Sequence, residues 1–393
     1  MKKILIVLFL ILFMPLYCCA EDRTLTFLYI NGSNNNDEKM KNWYEKGVRK
    51  LHPVLKKKFE KNPQIKRWSA ENHVKINDEP QIFFWGYDSK TDLEFVKERI
   101  NLSKVYTAIF AYEVRSLLTQ FLHDAIWIQK EHNMLPVLDE LNNQIKKDEN
   151  QNVILYGYSA GTFVTYQYLI YKIPYIKLEY LFNALSDDEM SDFARKYPRE
   201  DTCLSAIMHN KGNLGVLSNN GHLVLNQNKT ELKQNYLNID TATKLYCAPK
   251  GKVKGVVNFA SPLPLFYSDL GDKNYELNFY TKYMFKYIME NGMFFLTVNF
   301  REDPLGFPSS QNFTLRQYEK LTGITFKNPK GVIYDNSKVW SRRSALLAHT
   351  SYWSARNVFA KAVVQSFVNG SKYLYDDNYQ KRKKIKMDKK QKA

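Results

Sequence analysis

The chain has 393 residues, a formal net charge of +17 and only four cysteines. Its one long apolar run lies at the N-terminus, which excludes a protein that crosses a membrane repeatedly. The charge comes without a nucleic-acid recognition motif, so no nucleic-acid partner is expected.

Residues 1–20 read as a signal peptide: Lys2 and Lys3, an apolar run over residues 4–17, then the small-residue end Cys18-Cys19-Ala20. The run is shorter than the roughly 20 residues a bilayer span needs, and cleavage is expected after Ala20. A lipoprotein anchor on Cys19, with Leu16 three residues before it, is the alternative. Either reading makes the protein secreted or periplasmic. Cleavage leaves Cys203 and Cys247, a possible disulfide in an oxidising compartment. Its loop of about 44 residues would be worth about 4 kcal/mol in the chain-entropy view. Two separate thiols are the alternative.

Short apolar runs then alternate with longer amphipathic stretches. Strands are predicted at 24–30, 81–86 and 152–157, and again at 254–262, 293–300 and 331–335. Helices are predicted over 37–60, within 91–149, and from Ala160 to about Tyr171. Further helical patterns lie at 275–291, 314–323 and from about Ser351 to Val368. Such alternation implies an α/β fold, a doubly wound and mostly parallel sheet with helices on both faces. Residues 175–250 break the rhythm and read as an insertion or cap, with a hairpin around Asn219-Asn220-Gly221. The core is therefore 21–174 with 251–370. Residues 371–393 form a basic tail, expected to be disordered. From Gln380 onward it holds eight Lys or Arg against Asp388. Attachment to an anionic membrane or envelope surface and plain solubility are its two readings.

The chemistry centres on Gly157-Tyr-Ser-Ala-Gly161, between the strand ending at 157 and the helix after it. A strand that turns sharply into a helix lifts the turn residue above the sheet's carboxyl edge. The turn leaves no room for side chains two residues before and after it, which explains Gly157 and Gly161. Ser159 is thus the candidate nucleophile, at a helix N-terminus that favours developing negative charge. Serine needs a base and a group that orients the base. Asp303, held before Pro304 on the loop after the strand at 293–300, is the favoured acid. Asp335, at the end of the next strand, and Glu302 are the competitors. His349 is the one histidine downstream of that acid. His52, His73, His123 and His132 precede the serine and read as surface or packing residues. His209 and His222 fall in the insertion. Oxyanion donors are expected from Ala160 and from the loop after the first strand, at Gly32 or Ser33.

In order along the chain, the motifs Gly-Tyr-Ser-Ala-Gly, Asn258-Phe-Ala-Ser-Pro262, Asn299-Phe-Arg-Glu-Asp-Pro304 and His349-Thr-Ser-Tyr-Trp353 resemble those of the class-three lipases. That resemblance implies the α/β-hydrolase fold, with Ser159 as nucleophile, Asp303 as acid and His349 as base. Two features depart from the family. About 100 residues separate Ser159 from the Ser-Pro pair, longer than the family's usual interval, and little chain precedes the first strand.

The expected activity is that of an exported serine hydrolase cleaving carboxylic esters of lipid-like or other small molecules, with neither metal nor cofactor. Amide hydrolysis or acyl transfer with the same triad is the second reading, because the machinery is shared. An inactive scaffold that binds an envelope partner is the third.

Overall fold

Leu25 to Ile30 are all buried, which is why strand β1 (Arg23–Ile30) reads as one apolar run rather than an alternating one. The structure is a computed structural model. It describes residues 23–33, 38–86, 89–100, 119–120, 123–173, 215–217, 223–225, 248, 251–266, 288–289, 291–308 and 331–375. Helix α1 (Glu38–Lys61) buries Tyr44, Val48, Leu51, Leu55 and Phe59, a stripe of period 3.6. Helix α2 (Pro63–Glu71) starts where the Asn62 side chain accepts the Gln64 and Ile65 N–H groups. Strands β2 (Val74–Ile76) and β3 (Gln81–Phe83) both pair in parallel with β1, at its start and its end respectively, so two short pieces share one edge. Helices α3 (Lys90–Ile100) and α4 (Glu131–Lys146) precede β4 (Gln151–Tyr158), which leads into α5 (Gly161–Tyr171).

Strands β5 (Gly215–Leu217) and β6 (Leu223–Leu225) form the antiparallel hairpin expected around Asn219-Asn220-Gly221. The core resumes with β7 (Val253–Phe259), the short α6 (Leu263–Phe266), β8 (Phe294–Phe300) and β9 (Val332–Val339). The short α7 (Ala345–Ala348) and the long α8 (Arg356–Tyr375) follow.

The main sheet runs β2-β1-β4-β7-β8-β9, with β3 continuing the β2 edge, and every pair in it is parallel. Odd residues of β1 and even residues of β4 and β8 join α1, α2 and α8 in one core. Helices α4 and α5 contact each other, and α5 packs on β1, β4 and β7, away from that core. With both faces covered, the predicted α/β class and mostly parallel sheet hold. The chain visits β2 and β3 on one side of β1, then reverses to β4 on the other. A reversal of this kind opens a crevice at the carboxyl ends of β1 and β4.

Several expectations need correction. The strand predicted at 81–86 stops at Phe83, because the Trp85 amide bonds the Asn31 side chain instead of a strand partner. The strand predicted to end at Asp335 continues to Val339, paired with β8 along its length, so Asp335 lies mid-strand opposite Thr297. Strand β2 was not foreseen, since three residues are too few to show a period. Within the predicted 91–149 helical region, extended backbone at Lys130 separates residues 123–129 from α4. The last helix begins at Arg356 rather than Ser351. Ser351 and Ser354 bond their hydroxyls to the carbonyls of Ala348 and Ser351, and residues 349–355 stay in successive turns. Residues 371–375, expected to open the disordered tail, continue α8 instead; the signal peptide, Cys203 and Cys247, and residues 376–393 of the tail lie outside the described residues, as does most of the insertion.

Candidate active site

Ser159 sits at the end of β4 with φ of 52°, a left-handed conformation that L-residues rarely adopt. Neighbouring chain enforces it. The Ser159 N–H donates to the Phe259 carbonyl (3.0 Å), and its own carbonyl accepts the Thr162 N–H (3.0 Å) and hydroxyl (2.7 Å). The two flanking glycines are steric requirements. A Cβ on Gly161 would lie 2.5 Å from the Asn31 carbonyl oxygen, and one on Gly157 would lie 2.8 Å from Asn258 Oδ1. Helix α5 thereby starts directly against the end of β1.

His349 follows α7 and reaches back to the serine: its Nε2 lies 3.1 Å from Ser159 Oγ. On the other side, Nδ1 lies 3.0 and 3.2 Å from the two carboxylate oxygens of Asp303. An ionised carboxylate only accepts, so Nδ1 carries the proton and Nε2 is left to accept the serine hydroxyl. Three side chains separated by up to 190 residues of sequence thus form one hydrogen-bonded chain.

Asp303 is buried, and each of its oxygens has a further donor. The Leu305 N–H bonds Oδ1 (2.9 Å) and the Tyr352 hydroxyl bonds Oδ2 (2.9 Å). The Tyr352 oxygen accepts the Phe300 N–H (2.8 Å), and its ring stacks on Phe300 with centroids 4.1 Å apart. Burial, and the Asp303 carboxylate beside it, hold the Tyr352 pKa well above the usual tyrosine value, so it remains a donor. The competing acids have other work. Glu302 accepts the backbone N–H groups of Ser341 and Arg342, and Asp335 accepts the Ser337 hydroxyl.

Tyr158, the residue before the candidate nucleophile, holds the imidazole from below. Its hydroxyl donates to the His349 carbonyl (2.9 Å), and its ring stacks on the imidazole at 5.6 Å and 29°. Burial raises its pKa as well, so the phenol stays neutral. An aromatic face within about 6 Å attracts a cation. The ring is therefore a second stabiliser, beside Asp303, for an imidazolium formed during a reaction.

The loop after β1 closes the site. A Cβ on Gly32 would lie 2.7 Å from Ser159 Cβ, so only glycine lets this backbone pass the serine. Asn31 fixes the loop: its carbonyl accepts the Trp85 indole N–H (2.7 Å), its Oδ1 the Trp85 amide (3.0 Å), and its Nδ2 donates to the Gly32 carbonyl (3.0 Å). Ala160 is the N-cap of α5, where backbone N–H groups lack intrahelical acceptors. Ala160 follows Ser159 in the chain, and the Gly32 backbone passes against the serine Cβ. Tyr158, Tyr352, Asn31 and Trp85 were missed. Only Tyr352 had a signal, as the aromatic that closely follows His349.

The chain matches no family model, no curated protein and no solved structure.

Proposed function

We propose that the chain is a serine hydrolase of the α/β-hydrolase fold, allied to the class-three lipases, that cleaves carboxylic esters through an acyl-enzyme. The observation that carries this reading is the hydrogen-bonded chain Ser159–His349–Asp303, with the serine at a left-handed turn between a buried strand and a helix. The strand order β3-β1-β4-β7-β8-β9 supports it, because each triad member follows a separate strand at the carboxyl edge, in the order serine, acid, histidine.

In this reading Ser159 Oγ attacks the ester carbonyl as its proton passes to His349 Nε2. Asp303 and the Tyr158 ring stabilise the imidazolium. The tetrahedral oxyanion lies toward Ala160 and the Gly32–Ser33 loop, where each good donor lowers the barrier by about 3 kcal/mol. His349 then protonates the leaving alcohol. Water, deprotonated by the same imidazole, attacks the acyl-serine and releases the acid.

Labelling with a fluorophosphonate followed by peptide mapping tests the reading. One adduct on Ser159, lost in Asp303→Ala and His349→Ala, supports an activated serine and leads to an ester panel. Absence of an adduct on folded protein overturns it.

A further inference from the structure

The solvent-facing side of α1 carries a line of five lysines, Lys39, Lys46, Lys50, Lys57 and Lys61, all exposed. At 100° per residue they fall within an arc of about 60°, and the helix rise spreads them over about 33 Å. Three basic residues beside the line pair with carboxylates: Lys41 with Glu38, Arg49 with Glu79, and Lys56 with Glu60 and Asp78. None of the five on the line pairs with a carboxylate among the described residues. Successive members lie within or near a Debye length of each other, so their potentials add along a straight ridge.

Trp43 lies on the same line and is 37% exposed. Its ring meets Trp353 edge-on at 6.3 Å, and Trp353 in turn contacts Tyr158 beside His349. The ridge therefore starts at the site and runs away from it along the side of the sheet. An exposed indole among lysines suits a lipid headgroup layer, which offers anionic charge and an amphipathic depth for the ring. An anionic polymer would use the lysines and leave the indole without a function.

From this we infer that α1 is a docking ridge for an anionic lipid surface, with Trp43 seated at the headgroup level. The helix lies flat on the membrane, and the carboxyl edge of the sheet stands beside the headgroups at the Trp43 end. This binding is independent of the hydrolase reading and survives its failure. It also differs from attachment through the basic tail, since the ridge belongs to the folded core.

Co-sedimentation of the full chain with phosphatidylcholine vesicles, with and without phosphatidylglycerol, tests the inference. Binding is expected only to the anionic vesicles and falls steeply with salt. Each lysine replaced by glutamine lowers the partition coefficient about fivefold, and replacing all five lowers it on the order of a thousandfold with the tail intact. The blue shift of tryptophan emission on binding disappears in Trp43→Phe. Equal binding to neutral vesicles overturns the inference, and so does a five-lysine variant that sediments like the wild type while a tail-neutralised chain does not. Capture by soluble polyphosphate without any vesicle binding makes the partner a polymer and also overturns it. The salt dependence of the unmodified chain requires no variant to fold.

Discussion

His52 and His349 are both held at both ring nitrogens, in two regions of one molecule, yet they are built for opposite ends. Beneath α1, His52 Nε2 faces the Asn77 carbonyl (3.1 Å) and Nδ1 faces the Tyr29 hydroxyl (3.3 Å), with Phe27 and Tyr29 rings against it. A carbonyl only accepts, so Nε2 carries the proton and the neutral ring satisfies both partners. At the carboxyl edge His349 takes the opposite tautomer, with a carboxylate on one side and a hydroxyl on the other. Burial lowers the His52 pKa, and the Asn77 carbonyl and the Glu79 charge offset that only in part. The difference is one of partners: neutral groups surround His52 within the core, while His349 stands between a carboxylate and a serine hydroxyl over an aromatic face.

The largest effects should come from breaking the His349 side. Ser159→Ala and Asp303→Asn are expected to lower ester turnover by about 10⁴-fold or more, the latter by reversing the imidazole tautomer. A soluble chromogenic ester reads the rate, and the thermal midpoint should stay close to wild type for Ser159→Ala.

Next is the backbone that supports the serine. Gly161→Ala puts a methyl 2.5 Å from a carbonyl oxygen, so destabilisation of about 3 kcal/mol or more is expected from urea unfolding.

Smaller again are the residues behind the triad. Tyr352→Phe strips Asp303 of one donor and the Phe300 N–H of its acceptor, with kcat expected to fall about tenfold at nearly constant KM. Tyr158→Leu loses the ring beneath the imidazole and is expected to be a few-fold slower at neutral pH. Tyr158→Phe keeps the ring and should lose less of the rate. If the two variants slow turnover equally, the aromatic face is not a stabiliser of the imidazolium.

The His52 side responds through stability. Its folded pKa is depressed below the unfolded value near 6.5, so the unfolded chain binds the extra proton first. The stabilisation is fully present above about pH 6.5 and is lost as pH falls toward the lowered folded pKa. In urea titrations at pH 5 and pH 8, His52→Gln should reduce the difference between the midpoints. An unchanged difference would show that His52 does not contribute to acid sensitivity.

Much of this architecture was legible because it rests on local rules. The left-handed serine is readable from its two glycines, since a side chain at either would strike backbone or a facing strand. The triad's order is readable from which loops follow which strands. Asp335 misled only as a boundary: nothing local announces that β9 runs to Val339, because its length is set by pairing with β8. The serine-rich turns after His349 likewise displaced the start of α8.

By itself, the sequence determined the alternation of strands and helices, the parallel α/β class and the elbow at Ser159, because apolar periodicity and glycine sterics act over a few residues. Only the tertiary structure decided that His349 meets Ser159 and Asp303 at once and that Tyr352 saturates the buried acid. It also decided that Tyr158 lies under the imidazole, and that Trp85 clamps the loop carrying Gly32. Those contacts join residues tens to hundreds of positions apart, and burial and hydrogen-bond satisfaction operate on distance in space rather than along the chain.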